Sequence, residues 1–368
     1  MGSNNKQYLL AFLRAIGSPL ASNQPQVGGE VKSSYVPKLY TIAEVNKIPL
    51  TYLNIISPKE RQSLSEYKYH CTRLRRLMEI ISEISELFDK EDIDYVIFKT
   101  IRPYPEYVAD IDVLNLGLHR NYEKMVEILR RAGYIFIDRG AYCTTFQDYK
   151  TKFKTDLMID VYDEISVAYL IYLDKRKLSC YVSEKELPTG QNVRVFSPEA
   201  ELLVTIAHSA IKENRYILAE YFATLHYLAL MDHPSIEELI DLVRENKLVN
   251  AFRWHLTITS MLHKFAFNSI PEKLSNLLFK LGGPWGKVYR QVSELTYPPY
   301  RCDTLTLMAI FREKMQDNIF RRSLYHQIFN FPTKTFCKKL LTKLAGMLTL
   351  RSTGQQRHYK GFVSLEHE

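Results

Sequence analysis

Residues 94–115, DYVIFKTIRPYPEYVADIDVLN, constrain the fold more than any other part of the chain. Residues 95–98 form a short apolar run rich in aromatic and β-branched side chains, which predicts a buried strand. A polar break at Lys99-Thr100 and a loop with two prolines follow. Residues 108–116 then alternate in hydrophobicity with a period of two, which predicts a second strand. The stretch therefore predicts two strands of one sheet, joined by a proline-marked loop.

The second predicted strand carries two carboxylates, Asp110 and Asp112. Side chains two apart on a strand point to the same face, so these two repel each other unless a cation lies near them. A third carboxylate, Asp160, lies inside the apolar run 157–162, where an uncompensated charge would be costly. If the two strands are neighbours, the three aspartates converge on a site of the kind that Mg²⁺ prefers. The alternative is that Asp110 merely closes the loop after Pro105.

The pattern along the chain predicts an α+β fold, in which a mixed-sheet domain precedes a mostly helical C-terminal domain. We predict a helix over 58–90 and further strands over 134–137, 142–149 and 157–162, the last two joined by a turn at 150–155. Ser197-Pro198-Glu199 marks the start of the helical part. The predicted divisions are a peripheral segment (1–60), an α+β domain (61–190), a helical domain (191–350, with a last helix at 336–350) and a flexible tail (351–368).

Composition excludes several classes of protein. The chain is 46% hydrophobic and 24% charged, as in ordinary globular proteins. Its apolar runs are shorter than the roughly 20 residues that span a bilayer. Arg14 interrupts the short apolar segment near the start, so no secretory signal is indicated and we expect a cytoplasmic protein. The five cysteines lack CxxC pairs and zinc-like spacing, which argues against a disulfide framework or a thiolate metal site.

The positive charge is concentrated at the C-terminal end. From Arg301 onward there are twelve Lys and Arg residues against five Asp and Glu, a net charge of +7 out of +8 for the whole chain. A basic region of this kind attracts phosphate-rich partners such as RNA or anionic lipid by long-range electrostatics. The alternative is that these charges form the solvated faces of helices.

The arrangement of motifs resembles the polymerase-beta-like nucleotidyltransferase superfamily, in particular an uncharacterised branch with Lys-Gly, Asp-Ile-Asp-Leu and Val-Asp-Leu-His motifs. Phe98-Lys99-Thr100 is similar to the first motif, with Thr in place of Gly. Asp110-Ile111-Asp112-Val113 is similar to the second. Ile159-Asp160-Val161-Tyr162 is similar to the third, with Tyr in place of His. The Ser-Pro-Glu helix start, with His208 further along, also resembles this branch.

The resemblance implies a metal-dependent nucleotidyltransferase that uses Mg²⁺ or Mn²⁺. Asp110, Asp112 and Asp160 would hold the metal ions and act in catalysis, and three polar residues would contact the phosphates of a nucleoside triphosphate such as ATP: Lys99, Thr100 and Arg102. A nucleoside monophosphate would pass to a hydroxyl acceptor, with release of pyrophosphate. The acceptor stays open, and RNA or another phosphate-rich molecule bound by the basic C-terminal region is one possibility. The alternative function is a catalytically weak or inactive module that binds RNA or a protein partner, as antitoxin-like proteins do. We interpret His208 as a structural histidine.

Overall fold

The computed structural model describes residues 2–20, 35–148, 157–294 and 298–329. The protein is α+β: in these ranges a mixed sheet of seven strands is followed by a mostly helical C-terminal region. None of the described helices is both long enough and apolar enough to cross a membrane. The predicted turn at 150–155, the predicted helix at 336–350 and the predicted tail at 351–368 lie outside the described residues.

The strands follow the predicted order, with four additions after Asp163. Their bounds are β1 Tyr95–Ile97, β2 Asp110–Asn115, β3 Ile135–Arg139, β4 Cys143–Gln147, β5 Met158–Tyr162, β6 Ile165–Val167, β7 Leu170–Leu173, β8 Val182–Glu186 and β9 Asn192–Phe196. The large sheet has the order β3-β4-β5-β2-β1-β9-β8, and β6 pairs with β7 in a separate hairpin. Within the large sheet, β2 is antiparallel to β1 and parallel to β5, while β9 is parallel to β1.

The helices precede, interrupt and follow the sheet. Their bounds are α1 Gly2–Ile16, α2 Pro37–Val45, α3 Pro49–Asn54, α4 Pro58–Ser63, α5 Ser65–Lys90, α6 His119–Arg131, α7 Lys175–Leu178, α8 Pro198–Ala207, α9 Leu218–Leu230, α10 His233–Glu245, α11 Val249–Phe267, α12 Glu272–Lys280, α13 Gly286–Glu294, α14 Thr304–Lys314 and α15 Asn318–Phe329. Helix α8 begins at Pro198, as the Ser-Pro-Glu pattern predicts. It continues into one π-helical turn, His208–Lys212.

The two faces of the sheet belong to two hydrophobic cores. The odd-numbered residues Ile97, Ile111 and Val113 pack on one face against apolar side chains of α5 and α6. Alternate residues such as Phe98 and Leu114 face the other way, into a larger core that continues through α8, α9 and α11. Because β-strand side chains alternate, each strand stabilises both layers at once. The sheet and the C-terminal helices are therefore joined by one continuous apolar interior.

The structure bears on two of the predicted divisions. Within the described parts of 1–60, Phe12 of α1 and Tyr52 of α3 are fully buried in the larger core, and the Arg14 side chain donates to the Ala266 carbonyl at 2.6 Å. The boundary at 190 divides the β8–β9 hairpin, although β9 pairs with β1 near the middle of the sheet. The helical region starts at Pro198, because β9 belongs to the sheet.

Candidate functional site

The register between β2 and β5 brings the three predicted aspartates to one place. Asp112 lies opposite Asp160. Asp110 lies opposite Met158, two residues earlier on both strands. Their side chains share the sheet face that looks toward the C-terminal helices. All three line one cavity of about 340 Å³. Asp110 is exposed to solvent, whereas Asp112 is only 9% exposed.

The cavity is lined by five parts of the chain that are far apart in sequence. They are the α2–α3 segment, α5, the β1–β2 region, β5, and the chain from the π-helical turn to α9. Many of the lining side chains are charged, and both signs occur in close proximity. The cations of the wall are Lys47, Lys99, Arg102, Lys212 and Arg215, and the acids beyond the three aspartates are Glu44, Glu213 and Glu220. Such a lining suits a ligand with several anionic groups that is accompanied by cations.

Lys99 is held in an unusual conformation directly after β1. Its backbone is left-handed, with φ of 57°, and its N–H donates to both oxygens of the buried Glu201 carboxylate, at 3.0 and 3.2 Å. Its Nζ lies 3.0 Å from Asp112 Oδ2 and 3.2 Å from Nδ1 of His208. Burial lowers the pKa of Lys99 below its ordinary value, although the Asp112 carboxylate opposes this shift. Lys99 therefore acts as an internal counter-ion to Asp112.

The other two aspartates carry raised pKa values. Burial, and then repulsion from Asp112 and Asp160, raise the pKa of Asp110 to about 6. Burial and repulsion from Asp112 also raise the pKa of Asp160. The Thr145 hydroxyl opposes this shift, because it donates a hydrogen bond to Asp160 Oδ1 at 2.6 Å. Like charges this close favour binding of a cation, because a cation relieves the repulsion.

Arg102 is a cation of the cavity wall with an unsatisfied donor. It lies in the β1–β2 loop and lines the cavity. Its Nη1 atom is buried and has no hydrogen-bond partner among the described residues. A buried guanidinium donor left without an acceptor is costly, and the planar guanidinium group matches phosphate and carboxylate oxygens. The arrangement favours an anionic ligand at Arg102.

Thr100 is placed differently from the prediction. Its side chain is fully buried and is not part of the cavity wall. The hydroxyl donates to the Phe98 carbonyl at 3.1 Å and accepts from the Asp112 N–H at 2.9 Å. Thr100 therefore fixes the backbone beneath Asp112, and the predicted contact with phosphate finds no support in this geometry.

Several cavity residues were not selected from the sequence. His208 and Lys212 come from the π-helical turn, and His70 comes from α5. Burial, and then the nearby Lys99 and Lys212, lower the pKa of His208 well below its ordinary value. Its Nδ1 atom also contacts the Tyr172 hydroxyl at 3.3 Å. His208 therefore has hydrogen-bond partners within the protein and also lines the cavity. The i, i+4 spacing of His208 and Lys212 was the one sequence signal that could have placed Lys212 here.

The three aspartates fit a divalent cation in their chemistry. They offer oxygen ligands on one wall, and two of them have the raised pKa values that a cation would lower. Among the described residues, no group of three or more His, Cys, Asp or Glu side chains is arranged so that it could hold a metal ion, so the three aspartates would have to move closer together to share one. An ion bound at Asp112 has to displace Lys99 Nζ or share the carboxylate with it.

Comparison with known protein families and with curated proteins finds no match. Two of the solved structures that are similar in part are the following. One is an antigenic nucleotidyltransferase-like protein from Paracoccidioides brasiliensis, with 16% identity and a TM-score of 0.35 over 52% of this chain and 97% of that chain. The other is JHP933 from Helicobacter pylori, with 11% identity and a TM-score of 0.26 over 63% of this chain and 95% of that chain. At these scores the similarity says nothing about function.

Proposed function

We propose that this protein transfers a nucleoside monophosphate from a nucleoside triphosphate to a hydroxyl acceptor and releases pyrophosphate. The observation that carries the proposal is the placement of Asp110, Asp112 and Asp160 on one cavity wall, on neighbouring strands. The unpartnered Nη1 of Arg102 supports it, because it offers a donor to phosphate on the same wall. The mixed charges of the wall fit a ligand that is itself polyanionic and metal-associated.

In this mechanism the chain's own residues bind and orient the reacting groups. Arg102 holds the phosphates that leave as pyrophosphate, and Lys212 adds positive charge nearby. Asp160 orients the acceptor hydroxyl and takes its proton. The acceptor oxygen forms a bond to the α-phosphorus while the bond from that phosphorus to the bridging oxygen breaks. The electron pair leaves with pyrophosphate.

The proposed cofactor is Mg²⁺ or Mn²⁺. Asp110, Asp112 and Asp160 would hold it, and when bound it supplies Lewis-acid neutralisation of the charge on the phosphates. Lys99 would then exchange its pairing with Asp112 for contact with the ligand. The basic C-terminal region is proposed to attract a phosphate-rich acceptor such as RNA.

The test is transfer of label from α-³²P nucleoside triphosphates to added RNA or to the protein itself, with Mn²⁺ or Mg²⁺. We expect Asp112→Asn to reduce transfer by about 100-fold or more, because it removes one charge at the reacting centre. Asp241→Asn is the matched control, since Asp241 is exposed on α10 and lies outside the cavity wall. Equal transfer by wild type and Asp112→Asn would contradict the proposal.

A second candidate function is a module that binds RNA or a protein partner without turnover. The observation that favours it is the internal neutralisation of the site: Lys99 pairs with Asp112, and Glu201 already occupies the Lys99 N–H. Nucleotide binding measured by calorimetry, with and without Mn²⁺, separates the two candidates. Binding that depends on both the metal and Asp112 supports transfer, whereas binding that ignores both supports the module.

A further inference from the structure

His70 is a buried polar side chain of the cavity wall that lacks a complete set of partners. It projects from α5, is 3% exposed and lines the same cavity as the three aspartates. Its Nε2 lies 2.8 Å from the Tyr40 hydroxyl. Its Nδ1 is buried and has no hydrogen-bond partner among the described residues. Buried polar atoms are nearly always paired, so an unpaired one on a cavity wall indicates a ligand group.

The His70 ring offers an acceptor to a ligand. Burial, and then the charge of Arg73, lower its pKa to about 4, so the ring is neutral at pH 7. A neutral imidazole has one nitrogen that donates and one that accepts. The Tyr40 hydroxyl also hydrogen-bonds the Glu44 carboxylate, which can only accept, so Tyr40 accepts from Nε2 and Nδ1 is left as the acceptor. An acceptor at this position suits the N–H donors on the edge of a nucleobase.

Tyr107 adds an aromatic surface next to His70. The two rings are stacked, with centroids 5.3 Å apart and an interplanar angle of 28°, and Tyr107 also lines the cavity. The Arg73 guanidinium lies 5.0 Å from the centroid of the Tyr107 ring. Aromatic rings accept stacked bases of any identity, because every base has a π face.

The loop that carries Tyr107 is anchored. The neighbouring Glu106 is 2% exposed, and its carboxylate accepts from the Thr51 N–H at 3.0 Å and from the Thr51 hydroxyl at 3.1 Å. Its other oxygen accepts from the Tyr107 N–H at 3.2 Å. Helix α3 therefore holds the aromatic surface in position before a ligand binds, which lowers the entropy cost of binding.

The distance along the chain also suits a nucleotide. Tyr107 precedes Asp110 by three residues, so their Cα atoms are at most about 11 Å apart even when the chain is fully extended. A nucleotide whose phosphates lie near the aspartates and Arg102 can therefore place its base against Tyr107.

We propose that His70 and Tyr107 form the nucleobase subsite of the cavity, where the base stacks on the Tyr107 ring and pairs through its edge with His70 Nδ1. The proposal rests on the proposed function, because it takes the ligand to be a nucleoside triphosphate. It assigns the recognition of the base to α5 and the β1–β2 loop. The phosphates stay with Arg102 and the sheet.

The test compares five probes on the full-length protein by calorimetry with Mn²⁺: ATP, GTP, CTP, UTP and inorganic tripolyphosphate. Tripolyphosphate carries the phosphate charge without a base. We expect Tyr107→Leu to weaken the tightest-binding nucleotide by about tenfold and to change tripolyphosphate binding by less than twofold. Tyr107→Phe keeps the ring and should stay within twofold for both. We expect His70→Gln, which keeps a polar group toward Tyr40, to reduce the differences in affinity among the four nucleotides.

Tyr325→Leu is the control, because Tyr325 is an aromatic residue on α15, 54% exposed and outside the cavity wall. Unchanged tripolyphosphate binding shows that a variant is folded at the phosphate site. If nucleotides lose no more affinity than tripolyphosphate in Tyr107→Leu and His70→Gln, the subsite is wrong while the proposed function stands. If wild type binds tripolyphosphate as tightly as every nucleotide, the subsite is also wrong. If wild type binds none of the nucleotides, the proposed function and the subsite fail together.

Discussion

Lys99 determines the charge balance of the cavity. Its Nζ lies against Asp112 and its N–H against Glu201, so one residue links the sheet to α8 through two carboxylates. Because an isolated buried carboxylate is costly, Lys99 stabilises Asp112 in the absence of a ligand. A cation that enters the site competes with this ammonium group. The affinity for metal therefore includes the cost of moving Lys99.

Glu106 gives a prediction about pH. Burial raises its pKa from 4.5 to about 7. When the pKa of an acid is higher in the folded than in the unfolded state, the free energy of unfolding falls as pH rises from the unfolded to the folded pKa. For Glu106 this range is about pH 4.5 to 7. We expect the free energy of unfolding of Glu106→Gln, relative to wild type, to rise by up to about 3 kcal/mol between pH 4.5 and pH 8, since glutamine cannot ionise. The amide keeps an acceptor for Thr51 and loses the acceptor for the Tyr107 N–H, which lowers stability by the same amount at every pH. Urea unfolding at several pH values measures this rise.

The control for this prediction is Glu127→Gln, because Glu127 is exposed on α6, at 57% of its side-chain surface. Its effect on the free energy of unfolding should be small and nearly independent of pH. A Glu106→Gln difference that stays constant from pH 4.5 to pH 8 would show that the carboxyl group titrates alike in the folded and unfolded chain.

The residues of the site differ in how far sequence could predict them. Asp110 and Asp112 follow from the period of two, because alternation fixes which side chains share a face. The role of Thr100 could not be predicted, because it depends on a hydrogen bond to the backbone of a strand twelve residues later. His70 lies on α5 with no motif around it. Only the packing of α5 against the β1–β2 loop brings it to the cavity.

Among the elements, the helices were easier to predict than the last strands. Helix α8 carries an explicit start signal, Ser197-Pro198-Glu199, and it begins at Pro198 as predicted. Strand β9 was missed because five residues, NVRVF, give too short a pattern to separate a strand from a loop. Its pairing with β1 joins residues about 100 apart in sequence, and no local signal contains that information.

Lys314 gives a prediction at the scale of elements, because it connects three helices. It lies at the end of α14, and its buried Nζ donates to the carbonyl of Asn246, which follows α10, at 2.8 Å. It also pairs at 2.9 Å with Asp317, whose other oxygen accepts from N–H groups at the start of α15. We expect Lys314→Met to lower the free energy of unfolding by about 3 kcal/mol, since it leaves a carboxylate and a carbonyl without their partner.

The matched control is Arg312→Met, which removes an exposed cation from the same helix. Its effect should stay within about 0.5 kcal/mol. Urea unfolding followed by circular dichroism measures both variants. Equal midpoints for the two variants would mean that the Lys314 contacts do not hold α10, α14 and α15 together.

At the scale of the whole molecule, the cavity is a product of the shared core. Its acids come from the sheet, His208 and Lys212 come from the helical region, and Lys47 comes from the segment before α3. These parts keep their positions because one hydrophobic core runs through all of them. The sequence predicts many of these strands and helices, but it does not predict that they pack together around one cavity. Periodicity shows that a face is apolar without showing which element covers it.

The shared core leads to a last prediction about the predicted domain 61–190. Expressed alone, this segment loses β9, the parallel partner of β1, and it exposes the apolar face formed by Val96, Phe98 and Leu114. We expect it to be aggregated or to lack a cooperative thermal transition, whereas the full chain should unfold cooperatively, because an uncovered sheet face and an open central edge cannot be stabilised by α5 and α6 alone. Extending the segment to residue 197 restores β9 and leaves the apolar face uncovered. If this longer segment unfolds cooperatively as a monomer in calorimetry, the sheet folds independently and the helical region is a separate domain after all.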